Sequence, residues 1–186
     1  PKIGFSIDVC PYSKMDSVYH SISDGDCDLG ISFSHNVPDD PAVGRIPLMR
    51  EKLCLTVPVD HPFAGRGTVS IDDLCGERVL VGEHIGQSLL GELRSKLGRE
   101  ALESAQSSSG EVMLMRFTAG FGIMFMPSTV ANHNCGGFSV LEVDGLDTDF
   151  DVLLLWRHDN NNPSLPLFLD EMEGARAGLF PVRASQ

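Results

Sequence analysis

The sequence predicts an α/β fold in two lobes joined by a two-strand hinge, and three observations lead there. A strand–helix–strand pattern opens the chain, a second α/β block occupies its middle, and strands and a helix return at its end. A packing in which the last segment completes the first lobe has two strands crossing between the lobes. The lobes expected are residues 1–54 with 142–186, and residues 55–141. A chain of 186 residues is long enough for two such small lobes.

Taken in order, Ile3, Phe5, Ile7 and Val9 alternate with Lys2, Gly4, Ser6 and Asp8, the period of a strand. Met15, Val18, Tyr19 and Ile22 make one stripe of a helix, with Ser13 placed to cap it and Gly25 to stop it. Leu29 to Phe33 is the next strand, so the opening reads as a parallel βαβ unit whose sheet is buried on both faces. Arg45 to Val59 is a long strand pattern ended by Asp60-His61-Pro62. Ser70 to Leu74 reads as one helical turn capped by Ser70 with Asp73 three residues on, and Arg78 to Val81 as a short strand. Leu89, Leu90, Leu93 and Leu97 share one side of a helix over Ser88 to Leu97. A polar stretch leads to a second helix, Glu111 to Thr118, and Gly120-Phe121-Gly122 turns the chain into the strand Ile123 to Met126. Asn132 to Gly137 reads as a loop. Strands over Phe138 to Val143 and Asp151 to Arg157 precede a final helix carrying Leu165, Phe168, Leu169, Met172 and Leu179.

Charge and cysteine usage narrow the function classes. With 14 Lys+Arg against 26 Asp+Glu, the net charge of −12 opposes direct binding to a phosphate backbone. Cys10, Cys27, Cys54, Cys75 and Cys135 are odd in number, widely spaced and free of any C-x-x-C, which fits reduced thiols in a cytoplasm. No apolar run reaches the roughly 20 residues of a membrane helix. The start at Pro1, directly into a strand pattern, reads as a fragment.

Several stretches resemble the effector-binding domain of LysR-type transcriptional regulators. Gly25-Asp26-Cys27-Asp28-Leu29-Gly30-Ile31 resembles that family's G-x-x-D-l-a/g-I, and Pro47-Leu48 through Leu53-Cys54-Leu55-Thr56-Val57-Pro58 to Asp60-His61-Pro62 resembles p-L…L-x-l-v-x-P-x-d-H-P. Ser70-Ile71-Asp72-Asp73-Leu74 is similar to i-x-l-x-D-L, Ala119-Gly120-Phe121-Gly122-Ile123 with Pro127 to a-G-l-G-i…l-P, and Leu155-Trp156-Arg157 to the family's ending. The resemblance implies two Rossmann-like lobes of the type 2 periplasmic-binding-protein kind, holding a small-molecule inducer between them. It also implies a strand and a helix before Pro1, and upstream of those a winged helix-turn-helix and linker helix. DNA would then be a partner only through that upstream domain, and the chain would pair as a homodimer or tetramer. In such pairing, outward apolar stripes are expected near Met15 to Ile22 and Leu89 to Leu97.

The candidate ligand-binding residues are Ser13, Gln87, Ser88, Ser107, Ser108, Ser109 and Gly110. Ser108-Ser109-Gly110-Glu111 fits a capping box, and the same hydroxyls and exposed N–H groups would hold a carboxylate or another anion. The resemblance places this helix start, and the one after Ser13, at the inducer. Gly86-Gln87-Ser88-Leu89-Leu90-Gly91 fails as a nucleophile elbow, since Leu90 stands where a glycine belongs, and Ser88 reads as an N-cap beside a cleft-wall loop. Scattered histidines offer no zinc spacing beyond the weak pair His133 and Cys135, and no phosphate loop or dinucleotide fingerprint is present. A ligand sensor is therefore expected, with no cofactor, no metal, no membrane partner and no catalytic set. A solute-binding protein of a transporter shares the implied fold. An enzyme on the scaffold would have only Glu83, His84 and Glu111 to work with, which form no recognisable set.

Overall fold

The computed structural model describes residues 7–11, 15–82, 85–104, 110–133 and 137–179. They divide into two compact units, residues 1–50 with 151–186, and residues 51–150.

In the first unit, α1 (Met15–Ser23) turns its Val18 and Ile22 inward. Gly25, at φ 82°, stops the chain there, and Gly25 N–H donates to the Ile22 carbonyl at 3.1 Å. The strand β1 (Gly30–Phe33) follows, and antiparallel pairing sets Gly30 opposite Leu155 and Phe33 opposite Val152 of β8 (Asp149–Arg157). The core of this unit gathers Ile22, Val43, Leu153 and Leu155, with Tyr19, Cys27 and Val37 against it. Asp28 accepts from the side-chain amides of Asn160 and Asn162 at 2.9 and 2.8 Å, which pins the turn before α5 (Leu165–Leu179).

Three expectations for this unit change. Residues 7–11 are not strand, and Ile7 and Val9 are exposed, so the alternation from Ile3 onward buries no face where it is described. The partner recorded for β1 is antiparallel, and Ile31 is 58% exposed, so β1 is not covered on both faces. The expected outward stripe near Met15 to Ile22 points inward instead, because Val18 and Ile22 are the residues that pack on Gly30.

The long strand β2 (Val43–Pro58) passes from the first unit into the second between Arg50 and Glu51. In the second unit, β2 runs antiparallel to β6 (Ile123–Pro127), with Leu53 opposite Pro127, and to β7 (Phe138–Asp144), with Leu55 opposite Leu141. His61 closes the turn after β2: its Nδ1 accepts from the Phe63 N–H at 3.2 Å and its Nε2 lies 3.3 Å from Glu77. The short β3 (Thr68–Ser70) lies parallel to β7 and runs into a 3₁₀ turn, Ile71–Leu74. Here Ser70 and Asp73 form the reciprocal capping box that the sequence announces.

Beyond it, β4 (Val79–Val81) is parallel to both β6 and β5 (Leu102–Ser104). The helix α2 (Gln87–Leu97) buries Leu89, Leu90 and Leu93, so this second expected stripe also faces the core of its own unit. From α3 (Gly110–Thr118), Met113 and Phe117 join Leu80, Met124, Met126 and Ala131 in one apolar cluster. The sequence reading passes over β3 and β5, three-residue strands whose pairing comes from a parallel neighbour rather than from their own hydrophobicity. It also takes Asn132 and His133 for loop, whereas they end α4 (Ser128–His133), whose Ala131 is buried under β6.

Candidate functional site

The second unit sets a row of helix starts along one edge. Strands β5, β4 and β6 are parallel neighbours, with Val79 opposite Leu102 and opposite Ile123. Their C-terminal ends lead to α3, α2 and α4 respectively. In open α/β sheets, ligands are held outside the carboxyl ends of the strands, where helix N-termini present unpaired N–H groups.

At the start of α2, Gly86 is the cap, with extended dihedrals of φ −62° and ψ 154° and no side-chain cap bond. Leu90 N–H donates to the Gly86 carbonyl at 2.9 Å, closing the first turn. Ser88 is therefore inside the first turn rather than its cap, a correction that follows from the Leu90–Gly86 backbone bond, which starts the helix two residues earlier. Gln87 and Ser88 are both exposed there. Gly110 is the first residue of α3, while Ser107, Ser108 and Ser109 lie outside the described residues, as does Ser13. Glu83, His84 and Cys135 lie outside them too. The described part of the predicted set thus falls on two helix starts, and these follow adjacent parallel strands.

The third start is occupied by the protein itself. Glu51 is 5% exposed, and its carboxylate accepts from Ser128 Oγ, from Thr129 Oγ1 at 2.6 Å, from Thr129 N–H at 3.2 Å and from Lys52 N–H at 2.9 Å. Burial pushes this carboxyl upward, but the bonds from Ser128, Thr129 and the two backbone donors outweigh it and hold it below its ordinary range. The sequence reading missed Glu51, although an acid interrupting the apolar half of a long strand, with Ser128-Thr129 after a strand-ending Pro127, was its signal.

Behind these starts, Arg116 of α3 is ion-paired with Glu103 of β5, and Arg78 lies 3.6 Å from the same carboxylate. The Arg116 guanidinium also lies over the Phe121 ring, 5.8 Å from its centroid. A separate polar hollow of about 200 Å³ is lined by Lys52, Leu53, Glu142, Val143, Asp144, Thr148 and Asp149. It holds none of the predicted residues, and the Lys52–Glu142 ion pair sits on its wall. Among the described residues, no group of three or more His, Cys, Asp or Glu side chains is arranged to hold a metal ion, and no helix is long and apolar enough to cross a membrane.

The family model described as LysR substrate binding domain matches residues 12–176. No curated protein matches the sequence. Among solved structures, the chain is similar to the effector binding domain of QuiR in complex with shikimate, at 19% identity and TM-score 0.71, over 90% of this chain and 80% of that one. It is similar to the regulatory domain of Synechocystis PCC6803 CcmR in complex with 2-PG, at 16% identity and TM-score 0.70, over 90% and 82%. It is also similar to full-length CbnR complexed with target DNA, at 16% identity and TM-score 0.68, where it covers 88% of this chain but only 58% of that one.

Proposed function

This chain belongs to the LysR substrate-binding domain family, and on that premise we propose that it senses a small-molecule effector rather than catalysing a reaction. The effector would occupy the inter-lobe cleft that the family resemblance implies. Its binding would favour one lobe arrangement and pass to a helix-turn-helix domain elsewhere in the protein. The coupling available is the ligand's differential affinity for two states, commonly ~1–3 kcal/mol. Assembly as a homodimer or tetramer in a cytoplasm, with DNA held by the separate domain, completes the reading.

The observation that carries it is the pair of helix starts, α2 and α3, at the C-terminal ends of two adjacent parallel strands. Gln87 and Ser88 stand at one start and Gly110, preceded by three serines, at the other. N–H groups and hydroxyls in that setting favour a small carboxylate or another polar anion. The net charge of −12 supports assigning DNA to another domain. Transport, as a solute-binding protein, would use the same geometry, so the closing experiment concerns the ligand.

A thermal-shift panel of small carboxylates and phosphate esters tests the site. A true effector at a hundred times its Kd stabilises by about 2.7 kcal/mol, a shift of roughly 5–10 °C for a chain of this size. Replacing Ser109 by Phe should abolish that shift without lowering the unliganded midpoint. An undiminished shift in Ser109→Phe would remove the α3 start from the site, and a panel without any stabilising anion would refute the anion reading.

A further inference from the structure

We propose that Glu51 fastens the crossing strand to α4, so that β2 from Glu51 onward and the first turn of α4 move as one piece. The proposal stands on the geometry of the second unit alone and is independent of the effector reading.

Three observations converge on it. Glu51 is the first residue of the second unit, and the division between units falls at its own N-terminal peptide. The ladder between β2 and β6 starts two residues later, with Leu53 opposite Pro127. Between the boundary and that pair, the recorded attachment to the β6–α4 corner is therefore the Glu51 side chain. It is buried and receives two hydroxyls and a backbone N–H from Ser128 and Thr129, the first two residues of α4. A buried carboxylate with these donors is held in one orientation, because any other leaves charge unsolvated or a donor unpaired. Capping alone would be met by a short side chain at the position before the helix, where Pro127 stands and can offer none. The carboxylate comes instead from a strand 77 residues away in sequence, and that makes it a tie as well as a cap.

Amide hydrogen exchange on the whole 186-residue chain tests the tie from both ends, with Glu51→Ala at one and Thr129→Val at the other. The two substitutions should act reciprocally. Losing charge-assisted bonds of this kind should speed exchange at both Lys52 and Thr129–His133 by about tenfold or more in either variant. Amides of β4 and β5 should keep their wild-type rates. Acceleration confined to the substituted side would overturn the proposal. Equal acceleration throughout the second unit would do the same, since that marks general destabilisation, and so would unchanged rates. Should Glu51→Ala fail to fold, Thr129→Val and Glu51→Gln decide by the same criteria.

Discussion

A methyl group added at Gly122 tests how tightly β4 and β6 are registered at the start of their pairing. An alanine Cβ there would lie 2.3 Å from the carbonyl oxygen of Arg78, and real Cβ atoms essentially never come within 3.0 Å of a neighbour. One strand must therefore retreat by about 0.7 Å, and the obstacle is backbone, which no rotamer change removes. That same Arg78 oxygen accepts the Ile123 N–H at 2.9 Å. A retreat of this size takes the bond to roughly 3.6 Å, past the range of a hydrogen bond. Ile123 is 1% exposed, so its N–H would be left without water. Overpacking at about 1–3 kcal/mol and an unsatisfied buried donor at about 1–3 kcal/mol combine to roughly 2–6 kcal/mol for Gly122→Ala. Urea unfolding followed by far-UV circular dichroism reads this as a lowered midpoint at unchanged slope. The control is Gly91→Ala in the middle of α2, where the added Cβ meets nothing within 4 Å. It should stabilise by about 0.4–1 kcal/mol. A Gly122→Ala loss under about 0.5 kcal/mol would refute the close-approach argument.

The other predictions concern caps, core and charge. Ser70→Ala removes half of a reciprocal capping box and should cost about 0.5–2 kcal/mol in urea midpoint, whereas Ser70→Thr, which keeps a hydroxyl to donate to Asp73 and accept from its N–H, should recover most of it. Leu155→Ala hollows the core of the first unit at a fully buried position, for about 2.7–5 kcal/mol, and fluorescence of the single Trp156 beside it reports the loss directly. Glu51 has a folded-state pKa below its ordinary 4.5, so its carboxylate contributes stability that is present above that value and lost as pH falls through the folded value. The stability gap between wild type and Glu51→Gln should therefore be wide at pH 7 and shrink below about pH 4.5; a gap of constant width would show that ionisation is not what stabilises there.

What the sequence made legible was whatever depended on local periodicity or a local cap. The leucine row of α2, the long strand pattern of β2 and the Ser70–Asp73 box each carry their cause within a few residues, and each is where it was expected. The family motifs were readable as motifs only, since Gly122 and Asp28 answer distant partners, the Arg78 carbonyl and the amides of Asn160 and Asn162. Elements whose cause is distant were not readable. β5 is a strand because β4 lies beside it, and α4 is a helix because Glu51 reaches its start and Ala131 finds a buried seat. The described end of the opening alternation, Ile7 and Val9, failed in the opposite way, since a periodic pattern specifies a strand only where a neighbour pairs with it. Of the candidate ligand residues, Gln87, Ser88 and Gly110 were placed on helix starts from sequence, though only the structure shows that those starts follow neighbouring parallel strands.

The nesting of one unit inside the other bears on how the protein is made. All of residues 51–150 leave the ribosome in one uninterrupted stretch, so the second unit has every strand it needs soon after residue 150 emerges. The first unit has no such freedom. Its β1 is translated early, but the recorded partner of β1, Leu155 to Val152, arrives more than a hundred residues later. At translation rates of about 5–20 residues per second, that half-built unit waits roughly 6–25 seconds with Val43 and Ile22 uncovered. Nascent-chain stalling should accordingly find the inner unit protease-resistant while the outer one is still cut, and chaperones should engage the chain's opening fifty residues rather than its middle.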